Sequence, residues 1–480
     1  MDNLYHRILE QPEGKTIEFK KDLSSTKSMM KALTAFANTA GGRLIIGVSD
    51  DRQILGVEDP LSQEERLCSM IADSIVPRLV PNIEMITIED KTLLIAEVFL
   101  SGSRPHFLRS EGAENGVYVR LGSTNRQADR ELIAELRRSV EGVAFDEMPM
   151  PELSVDDLDT KAIAQCLGKQ YPKGGADLQT LKLLVPYQGR QVPSKGAVIL
   201  FGRERNLSFS DVWVQCGRFT GKDKSDIFDH IEIYDHLPLA VDSIMLFLKK
   251  HAMRGADFSE IRRKDVWSIP LGILREAVIN ALVHADYSQR GAPIRIAFFD
   301  DRIEIENPGI LLPGMTIKEM KQGISRIRNP VIARFFREMN LIEQWGTGVP
   351  RMFKQAEELG LPEPQIAELG MRVRFVVYLA EQVHVEINRL SQQVSQQVTQ
   401  QVTRLLEKIE GEMSRSQLMQ ALQLKDRVNF TRMYLEPALA LNLIEMTQPD
   451  SPKSPTQKYR LTVKGHKLVT TENSKKVSPS

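Results

Sequence analysis

Residues 275–287 read REAVINALVHADY, and this stretch decides how the middle of the chain folds. Apolar side chains recur at helical spacing from Pro270 to His284, which predicts one long helix. Glu276 and Asn280 are four residues apart, so a carboxylate and an amide share one face of that helix. An amide oxygen can coordinate Mg²⁺, and a carboxylate one turn earlier can orient a water molecule toward a phosphate. The pair therefore points to nucleotide chemistry.

Two glycine turns follow at positions that suit such a site. The predicted strands Ile294–Phe299 and Arg302–Glu306 lead into Glu306-Asn307-Pro308-Gly309, where a glycine lets the backbone approach a purine. Gly346-Thr347-Gly348 opens a predicted helix starting near Pro350, whose free backbone N–H groups can cradle phosphate. We expect the helix and both turns to surround one cavity.

The order helix, hairpin, glycine turn, lid, glycine turn, helix resembles the GHKL (Bergerat) ATP-binding fold. REAVINALVHADY, the ENPG turn, SRIRNP (325–330) and EQWGTGVPRM (343–352) look like the divergent GHKL domain of predicted bacterial transcriptional regulators. The resemblance implies ATP and Mg²⁺ as cofactors, and it leaves weak ATPase activity as an open question. It assigns water activation to Glu276, Mg²⁺ ligation to Asn280, the adenine surroundings to Asn307 and Gly309, and the phosphate surroundings to Gly346 and Gly348.

One position departs from that family. Asn307 stands where true GHKL ATPases have an aspartate, so its amide oxygen can accept a hydrogen bond from adenine but carries no charge. Taken alone, the spacing of Glu276 and Asn280 also fits an ordinary polar stripe on a helix. The nucleotide interpretation depends on all four segments occurring in order.

The first 130 or so residues have a different signature. A predicted helix over 27–39 carries AFANTAGG (35–42), and a buried strand over 43–48 leads into GVSD (47–50). With Glu18-Phe19-Lys20 and YVRLGS (118–123), these phrases resemble the Schlafen/AlbA-like domain. Gly41 and Gly42 permit a tight entry into the strand, and Asn38 is expected to cap the helix before it.

Two functions compete for this domain, and one of them is catalytic. By resemblance to eukaryotic Schlafen proteins, Glu13, Glu18 and Asp50 would hold Mg²⁺ or Mn²⁺ for hydrolysis of RNA or DNA, while Lys20 steadies the phosphate. Such a nuclease would suit defence against foreign nucleic acid. The other function is binding alone, which we prefer, because three acids do not by themselves prove a metal site. A strand without any ligand is the third interpretation. The cations available for binding phosphates are Lys20, Lys21, Arg104, Arg120 and Arg126.

The C-terminal segment shows the pattern of a winged helix-turn-helix. Its predicted helices are 402–409, 416–422 and 427–441, and two strands follow at 443–446 and 459–462. Ser414 and Asp426 can cap the second and third helices. From 402 to 480 there are 13 Lys/Arg and 8 Asp/Glu, a surplus of 5 that favours DNA over a protein partner. The residues expected to face the major groove are Arg427, Asn429 and Arg432.

Two connecting stretches and one further strand complete the predicted organisation. The Gln/Val run at 390–406 predicts a thin helical stripe through Val394, Val398 and Val402, which fits either a homo-oligomer contact or a solvated linker helix. EMPMPE (147–152) is expected to be a linker, and the apolar run 196–202 a strand.

Composition limits the class of protein. Lys plus Arg equals Asp plus Glu at 63 each, so nucleic-acid binding must come from local patches. Three scattered cysteines and no apolar run of membrane-spanning length favour a cytoplasmic protein without a membrane partner. We expect an α+β multidomain, ATP-binding and DNA-binding transcriptional regulator, with a metal-dependent nuclease as the alternative. The predicted domains are 1–135 (Schlafen/AlbA-like), 153–380 (connector plus an ATP-binding α/β sandwich with core 265–380), 381–401 (linker helix) and 402–470 (winged helix).

Overall fold

The computed structural model divides the chain into two compact units, Met1–Ala380 and Glu381–Ser480. The first unit contains both the N-terminal domain and the central domain, which share buried contacts. The structure describes residues 9, 11–168, 175–257, 264–267, 269–342, 346–379, 400–424, 426, 430–441, 443–448, 456–462 and 465.

The N-terminal domain is a four-stranded sheet covered by helix α1. The strand order is β1-β2-β5-β4, with β1 and β2 parallel and the other neighbours antiparallel. The helix forms because apolar residues dominate one face, and Leu33 and Phe36 of that face are fully buried against the sheet. The elements are β1 (Ile17–Lys20), α1 (Thr26–Asn38), β2 (Gly42–Ile46), α2 (Pro60–Ser74), β3 (Ile75–Val76), β4 (Asn82–Ile88), β5 (Lys91–Val98), β6 (Phe107–Leu108), α3 (Gly112–Asn115), β7 (Tyr118–Leu121), β8 (Thr124–Gln127) and α4 (Arg130–Glu141).

The AFANTAGG segment ends α1 differently from the expected cap. Gly41 adopts a φ of +74°, and its N–H donates to the carbonyl of Phe36 at 2.9 Å. Asn38 is fully buried; its amide donates to the carbonyls of His106 and Tyr118, both at 2.9 Å, and its side-chain oxygen accepts from the His106 N–H at 2.7 Å. Asn38 therefore joins three segments of the domain, and its prediction as a helix cap was wrong.

The central domain is built on a six-stranded mixed sheet in the order β12-β11-β15-β16-β18-β17. Strands β11 and β15 are parallel, and the remaining neighbours are antiparallel. The segment before residue 265 therefore belongs to the same sheet as the predicted ATP-binding core. The strands are β11 (Val214–Phe219), β12 (Ile227–Ile233), β15 (Ile294–Phe298), β16 (Arg302–Pro308), β17 (Gln365–Leu369) and β18 (Arg372–Tyr378).

The alternation of apolar and charged residues along β16 shows which face of the sheet the helices cover. Ile303 and Ile305 point into the apolar core, while Glu304 and Glu306 on the opposite face pair with arginines such as Arg374. Helices pack on the apolar face. The other elements are α5 (Thr160–Leu167), α6 (Gly175–Thr180), β9 (Leu184–Tyr187), β10 (Arg190–Pro193), α7 (Lys195–Phe201), α8 (Arg205–Ser208), α9 (Leu237–Ala252), β13 (Met253–Asp257), β14 (Lys264–Trp267), α10 (Leu271–His284), α11 (Ile317–Lys321), α12 (Pro330–Glu338) and α13 (Gly348–Glu358).

Residues 196–201 form most of helix α7 rather than a strand, and Gly202 follows its last residue. Ser194 caps this helix by accepting a hydrogen bond from the N–H of Ala197 at 3.1 Å. Gly196 to Phe201 are all buried, so no polar face marks the helical period. A short, wholly apolar run fits a buried strand equally well, which is why the prediction was wrong.

The proline-rich stretch 147–152 is packed rather than a free linker. Met150 is buried in the central core, and its N–H donates to the carbonyl of Pro193 at 2.8 Å. Just before it, the buried carboxylate of Asp146 accepts from the N–H groups of Val331 (2.8 Å) and Ile332 (3.1 Å) at the start of α12. These contacts hold the connection between the two domains against the central domain.

The C-terminal unit has a small apolar core formed by helices and a three-stranded sheet. The side chain of Ser414 accepts from the N–H of Gln417 at 3.4 Å, which confirms its predicted cap. Residues 427–429, at the start of the predicted recognition helix, lie outside the described part of the chain. The elements are α14 (Gln400–Lys408), β19 (Met413–Ser414), α15 (Arg415–Ala421), a π-helical turn (Thr431–Leu435), α16 (Glu436–Ala440), β20 (Ile444–Met446) and β21 (Lys458–Leu461).

Candidate functional site

A cavity of about 260 Å³ lies in the central domain, and five of the six residues expected around a nucleotide line it. We call it the nucleotide cavity. Helix α10 forms one wall, the end of β16 a second, and the start of α13 a third. Residues 309–328, here called the cavity loop, contribute a largely apolar wall that includes Leu311 and Met315. The predicted residues that line the cavity are Glu276, Asn280, Asn307, Gly346 and Gly348.

Glu276 and Asn280 face the cavity together from consecutive turns of α10. The amide nitrogen of Asn280 donates to Glu276 Oε1 at 3.3 Å, so its amide oxygen can serve as a ligand. Glu276 Oε2 accepts from the guanidinium of Arg351 at 3.1 Å. The Glu276 side chain retains 19% of its exposure. A carboxylate in this position can also accept from water or from a ligand.

Gly346, just before α13, and Gly348, its first residue, both lie where a side chain would not fit. A Cβ on Gly348 would lie 1.8 Å from Glu276 Oε1, so any side chain there would displace the carboxylate. Gly346 has a φ of +64°, and a Cβ there would lie 2.6 Å from the carbonyl oxygen of Gly323. The backbone thus comes directly against the acidic side chain of α10. This packing explains the glycine at 348 by the carboxylate, and the phosphate role of the helix start stays a prediction.

Of the two residues predicted to surround adenine, one lines the cavity and the other does not. Asn307 is buried and lines the cavity; its amide donates to the carbonyls of Pro308 (3.2 Å) and His284 (3.5 Å). Gly309 has a φ of +100° and donates its N–H to the Met371 carbonyl at 2.9 Å, but it is outside the cavity lining. Burial lowers the pKa of His284 to about 4, so its imidazole is neutral near pH 7.

Three arginines that sequence reasoning did not assign also line the cavity: Arg326, Arg328 and Arg337. The buried Nε of Arg337 has no hydrogen-bond partner among the described residues. Arg326 and Arg328 belong to SRIRNP, so the signal was present in a motif whose individual residues had been given no role. Amide and carboxylate oxygens, backbone N–H groups and arginines together suit a nucleotide with Mg²⁺.

The three acids of the N-terminal domain are not brought together as metal ligands. Glu13 Oε1 accepts from the N–H of Phe19 at 2.8 Å, and Asp50 lies exposed in a turn. Glu18 pairs with Lys20 and Arg120, each at 2.6 Å. Across the described residues, no group of three His, Cys, Asp or Glu side chains could hold a metal ion. The described residues therefore do not support the three-acid metal centre, and Lys20, expected to steady the phosphate, pairs with Glu18.

Arg120 cannot contact nucleic acid in this arrangement. Its side chain is 0% exposed and, beyond the pair with Glu18, donates to the carbonyl of Gly14 at 2.9 Å and to the Asn125 side chain at 2.9 Å. The prediction failed because Glu18 and Gly14, which hold the buried guanidinium, are distant from Arg120 in sequence.

Other expected nucleic-acid contacts have different positions. Arg126 and Lys21 are exposed, and Arg104 is half-buried. Arg427 and Asn429 lie outside the described residues, and Arg432 lies in the π-helical turn of the C-terminal unit.

The cavity loop contacts the N-terminal domain directly. The N–H of Gly314 donates to the carbonyl of Thr39, in AFANTAGG, at 2.6 Å. Glu368 accepts from the Leu311 N–H at 2.8 Å and pairs with Lys15 at 2.7 Å. One wall of the nucleotide cavity is therefore anchored on the N-terminal domain.

Comparison with protein families identifies both domains of the first unit. The family Schlafen, AlbA_2 matches residues 13–129. The family HATPase_c_4, described as "Putative ATP-dependent DNA helicase recG C-terminal", matches residues 291–377. The chain therefore combines a Schlafen/AlbA-like domain with an ATPase-like domain. The second match begins after α10, so Glu276 and Asn280 lie outside it.

The C-terminal unit has a match of its own, and solved structures add distant likenesses. Residues 400–462 match the Fic-like C-terminal domain family, Filamentation induced by cAMP protein. A crystal structure of a Corynebacterium diphtheriae protein is 17% identical over 98% of each chain, with a TM-score of 0.43. The N-terminal domain of a DNA helicase RecG-related protein from Nitrosomonas europaea is 27% identical over 26% of this chain and 91% of that one, with a TM-score of 0.22. A Fic family protein from Desulfovibrio desulfuricans is 18% identical over 70% of this chain and 77% of that one, with a TM-score of 0.15.

These TM-scores are too low to define the fold. No curated protein matches the chain. Among the described residues, every helix is too short or too polar to cross a membrane. The AlbA-like and ATPase-like domains indicate a nucleic-acid-related, ATP-binding function. The ATPase-like domain also implies use of a nucleotide with Mg²⁺.

Proposed function

We propose that the chain is a transcriptional regulator that binds ATP in the nucleotide cavity and DNA through its flanking domains. The observation that carries the proposal is the convergence of Glu276, Asn280, Asn307, Gly346 and Gly348 on one cavity. These residues span about 70 positions of sequence, and a chance polar stripe on α10 does not require the two distant glycine turns to meet it.

In this proposal each residue of the cavity has its own role in binding the nucleotide. The amide oxygen of Asn280 would hold Mg²⁺, which supplies positive charge to the polyphosphate when bound. Glu276, held by Arg351 at 3.1 Å, orients a water molecule. The backbone at Gly348 comes close to Glu276, and together with Gly346 it binds phosphate oxygens. Asn307 accepts from the purine amino group through its amide oxygen.

DNA binding is supported by chemistry outside the cavity. Lys21 and Arg126 are exposed on the N-terminal domain. The C-terminal unit has a helix capped at Ser414 and a strand pair, β20 and β21, in the order of a winged helix. Its surplus of basic residues suits a phosphate backbone.

Nucleotide would act on DNA affinity through the cavity loop. Leu311 and Met315 of this loop line the cavity, and Gly314 between them is bonded to Thr39 of the N-terminal domain. A ligand that repositions the loop must also change this contact. Such coupling is reciprocal, so DNA would change ATP affinity by the same factor.

Calorimetric titration of the full chain with ATP and Mg²⁺ tests the site. We expect Asn280→Ala to weaken binding by about tenfold or more, because an oxygen ligand of the metal is lost. Asn115→Ala, an exposed asparagine in α3, is the matched control and should bind as the wild type does. Equal affinities for all three proteins would end the proposal of an ATP site here.

Titration of labelled DNA with and without ATP tests the regulatory part. A change in DNA affinity that disappears in Asn280→Ala supports coupling. DNA affinity that ignores saturating ATP contradicts the coupling, and failure to retain DNA at low salt contradicts the regulator itself.

A further inference from the structure

A second cavity, of about 300 Å³, lies where α4 of the N-terminal domain meets the cavity loop. We call it the junction cavity. It shares Leu312 and residues 326–328 with the wall of the nucleotide cavity, and its other lining residues differ. Its charged lining residues are Arg104, Arg138, Arg326, Arg328, Glu135, Glu147 and Asp286.

The acids of the junction cavity are already engaged by other cations. Glu135 pairs with Arg328, and the nearest Arg328 nitrogen is also 4.0 Å from Asp286. Glu147 pairs with Lys182 at 2.5 Å, outside the cavity lining. Arg328 therefore serves two carboxylates, and none of these acids pairs with the other three arginines.

None of those three arginines forms an ion pair within 4 Å among the described residues, although the charge of Arg138 is close enough to act on Glu135. Arg104 donates to Ser139 Oγ at 3.2 Å and to the carbonyl of Ser101. Arg326 donates to the carbonyl of Pro313 at 2.8 Å, and the Arg138 guanidinium lies 5.3 Å from the centre of the Phe145 ring.

Like charges held this way oppose one another. Burial, and then the positive charge of Arg326, lower the pKa of Arg104, so the two guanidinium groups are close enough to interact. Neutral hydrogen-bond partners do not cancel that repulsion, and each guanidinium keeps unused donors in its planar fork. An anion bound among the three arginines would offset both costs.

We propose that the junction cavity binds the phosphate or diphosphate group of a small ligand. Arginine donates paired hydrogen bonds to phosphate oxygens, and three such groups around one hollow match a tetrahedral anion better than a planar carboxylate. A cavity of about 300 Å³ accommodates a small ligand group. A nucleic-acid strand instead requires a groove that continues past each phosphate. This site is distinct from the proposed ATP site, although the two share a wall.

Inorganic pyrophosphate is a suitable probe, titrated calorimetrically into the full chain carrying Asn280→Ala, so that the proposed ATP site contributes little. In that background we expect Arg138→Gln and Arg104→Gln each to weaken pyrophosphate binding by about tenfold. Neither arginine lines the nucleotide cavity. Arg137→Gln, exposed on the same helix as Arg138, is the matched control and should leave the affinity unchanged. Arg138→Gln removes no described hydrogen bond, so it remains informative if Arg104→Gln fails to fold.

Three outcomes would overturn the proposal. The first is that pyrophosphate does not bind. The second is that Arg137→Gln weakens pyrophosphate binding as much as Arg138→Gln does, which indicates a general charge effect. The third comes from a parallel titration with a short single-stranded DNA. If Arg138→Gln weakens DNA binding but not pyrophosphate binding, these arginines bind nucleic acid instead. Loss of ATP binding is read from Asn280→Ala alone, so failure of the ATP site and failure of the junction cavity are distinguishable.

Discussion

Two glutamates of this chain each face an arginine, and the two pairs differ in what surrounds them. In the N-terminal domain, Glu18 and Arg120 lie 2.6 Å apart with side-chain exposures of 7% and 0%. In the central domain, Glu276 and Arg351 lie 3.1 Å apart with exposures of 19% and 42%. The oxygens of Glu18 are both held by cations of its own domain, whereas Glu276 lies at the wall of a cavity.

The difference teaches how to recognise an acid that is available for chemistry. A metal at Glu18 would have to displace Arg120, leaving a guanidinium buried without a counter-ion, which is costly. A metal or water near Glu276 competes only with the amide of Asn280 and with Arg351, whose side chain keeps 42% of its exposure and can turn to solvent. Motif spacing alone does not separate these cases, because both glutamates were predicted as site residues from sequence motifs.

The largest effect in this comparison should come from Arg120→Met. Without Arg120, Glu18 keeps only Lys20, and the Gly14 carbonyl and the Asn125 side chain lose their buried donor, so we expect about 3–5 kcal/mol of lost stability. Denaturant unfolding of the full chain, followed by the transition of the first unit, measures it. Arg126→Met, an exposed arginine nearby, should change stability by less than about 0.5 kcal/mol. Similar values for both variants would show that the buried pair contributes nothing special.

This expectation also sharpens any search for nuclease activity. Loss of RNA or DNA cleavage in Glu18→Ala would not identify a catalytic acid, because the same change removes the partner of Arg120. Asp50→Asn is a better variant, since Asp50 is exposed and its change leaves the buried pair intact. Cleavage with Mn²⁺ that disappears in Asp50→Asn would be needed to restore the metal hypothesis.

Gly348→Ala tests the other half of the comparison and should have the second largest effect. The added Cβ would lie 1.8 Å from Glu276 Oε1, so the carboxylate must move away from its present position. We expect ATP affinity to fall by about thirtyfold, or 2 kcal/mol, in calorimetric titration. Gly272→Ala is the control: its Cβ meets nothing closer than 3.7 Å, and alanine favours helix α10. Normal ATP binding by Gly348→Ala would separate Glu276 from the nucleotide.

Asp146 is a buried acid whose described hydrogen bonds come from backbone N–H groups. Its replacement should have the smallest effect of the variants in this comparison. Burial raises the pKa of Asp146 from 3.8 to about 7, outweighing the hydrogen bonds from Val331 and Ile332. The folded chain therefore holds this proton more tightly than the unfolded chain, and stability declines as the pH rises through about 4 to 7.

Asp146→Asn removes this titration while keeping an oxygen for the helix start. Between pH 5 and pH 8 we expect the wild type to lose about 1–2 kcal/mol more stability than the variant, measured by denaturant unfolding. Glu135, whose pKa burial also raises to about 7, should leave part of the decline in the variant. Parallel pH profiles for the two proteins would contradict the assignment.

Much of this architecture was predictable because local signals agreed with the tertiary structure. The helix Leu271–His284, the hairpin after it and the glycine turn before α13 were predicted close to their observed bounds. Each has a period or a break that depends only on neighbouring residues. The convergence of Glu276, Asn280 and Gly348 followed from the resemblance of segment order, not from spacing.

What could not be predicted depends on distant partners. Arg120 is buried because Glu18 and Gly14, more than a hundred residues earlier, satisfy it. Helix α7 has no polar face to reveal its period. The junction cavity exists only because α4 and the cavity loop, far apart in sequence, come together, and no single motif contains its three arginines.

The hydrogen bond from Gly314 to Thr39, together with the Lys15–Glu368 pair, has a consequence for how this domain arrangement can be inherited or engineered. A chimaera that takes its first 140 or so residues from a relative would not provide the contacts that the cavity loop makes with the N-terminal domain. Lys15, the AFANTAGG segment, residues 309–328 and Glu368 would have to be transferred as a set. The boundary that matters for recombination therefore follows this contact surface, not the order of domains along the chain.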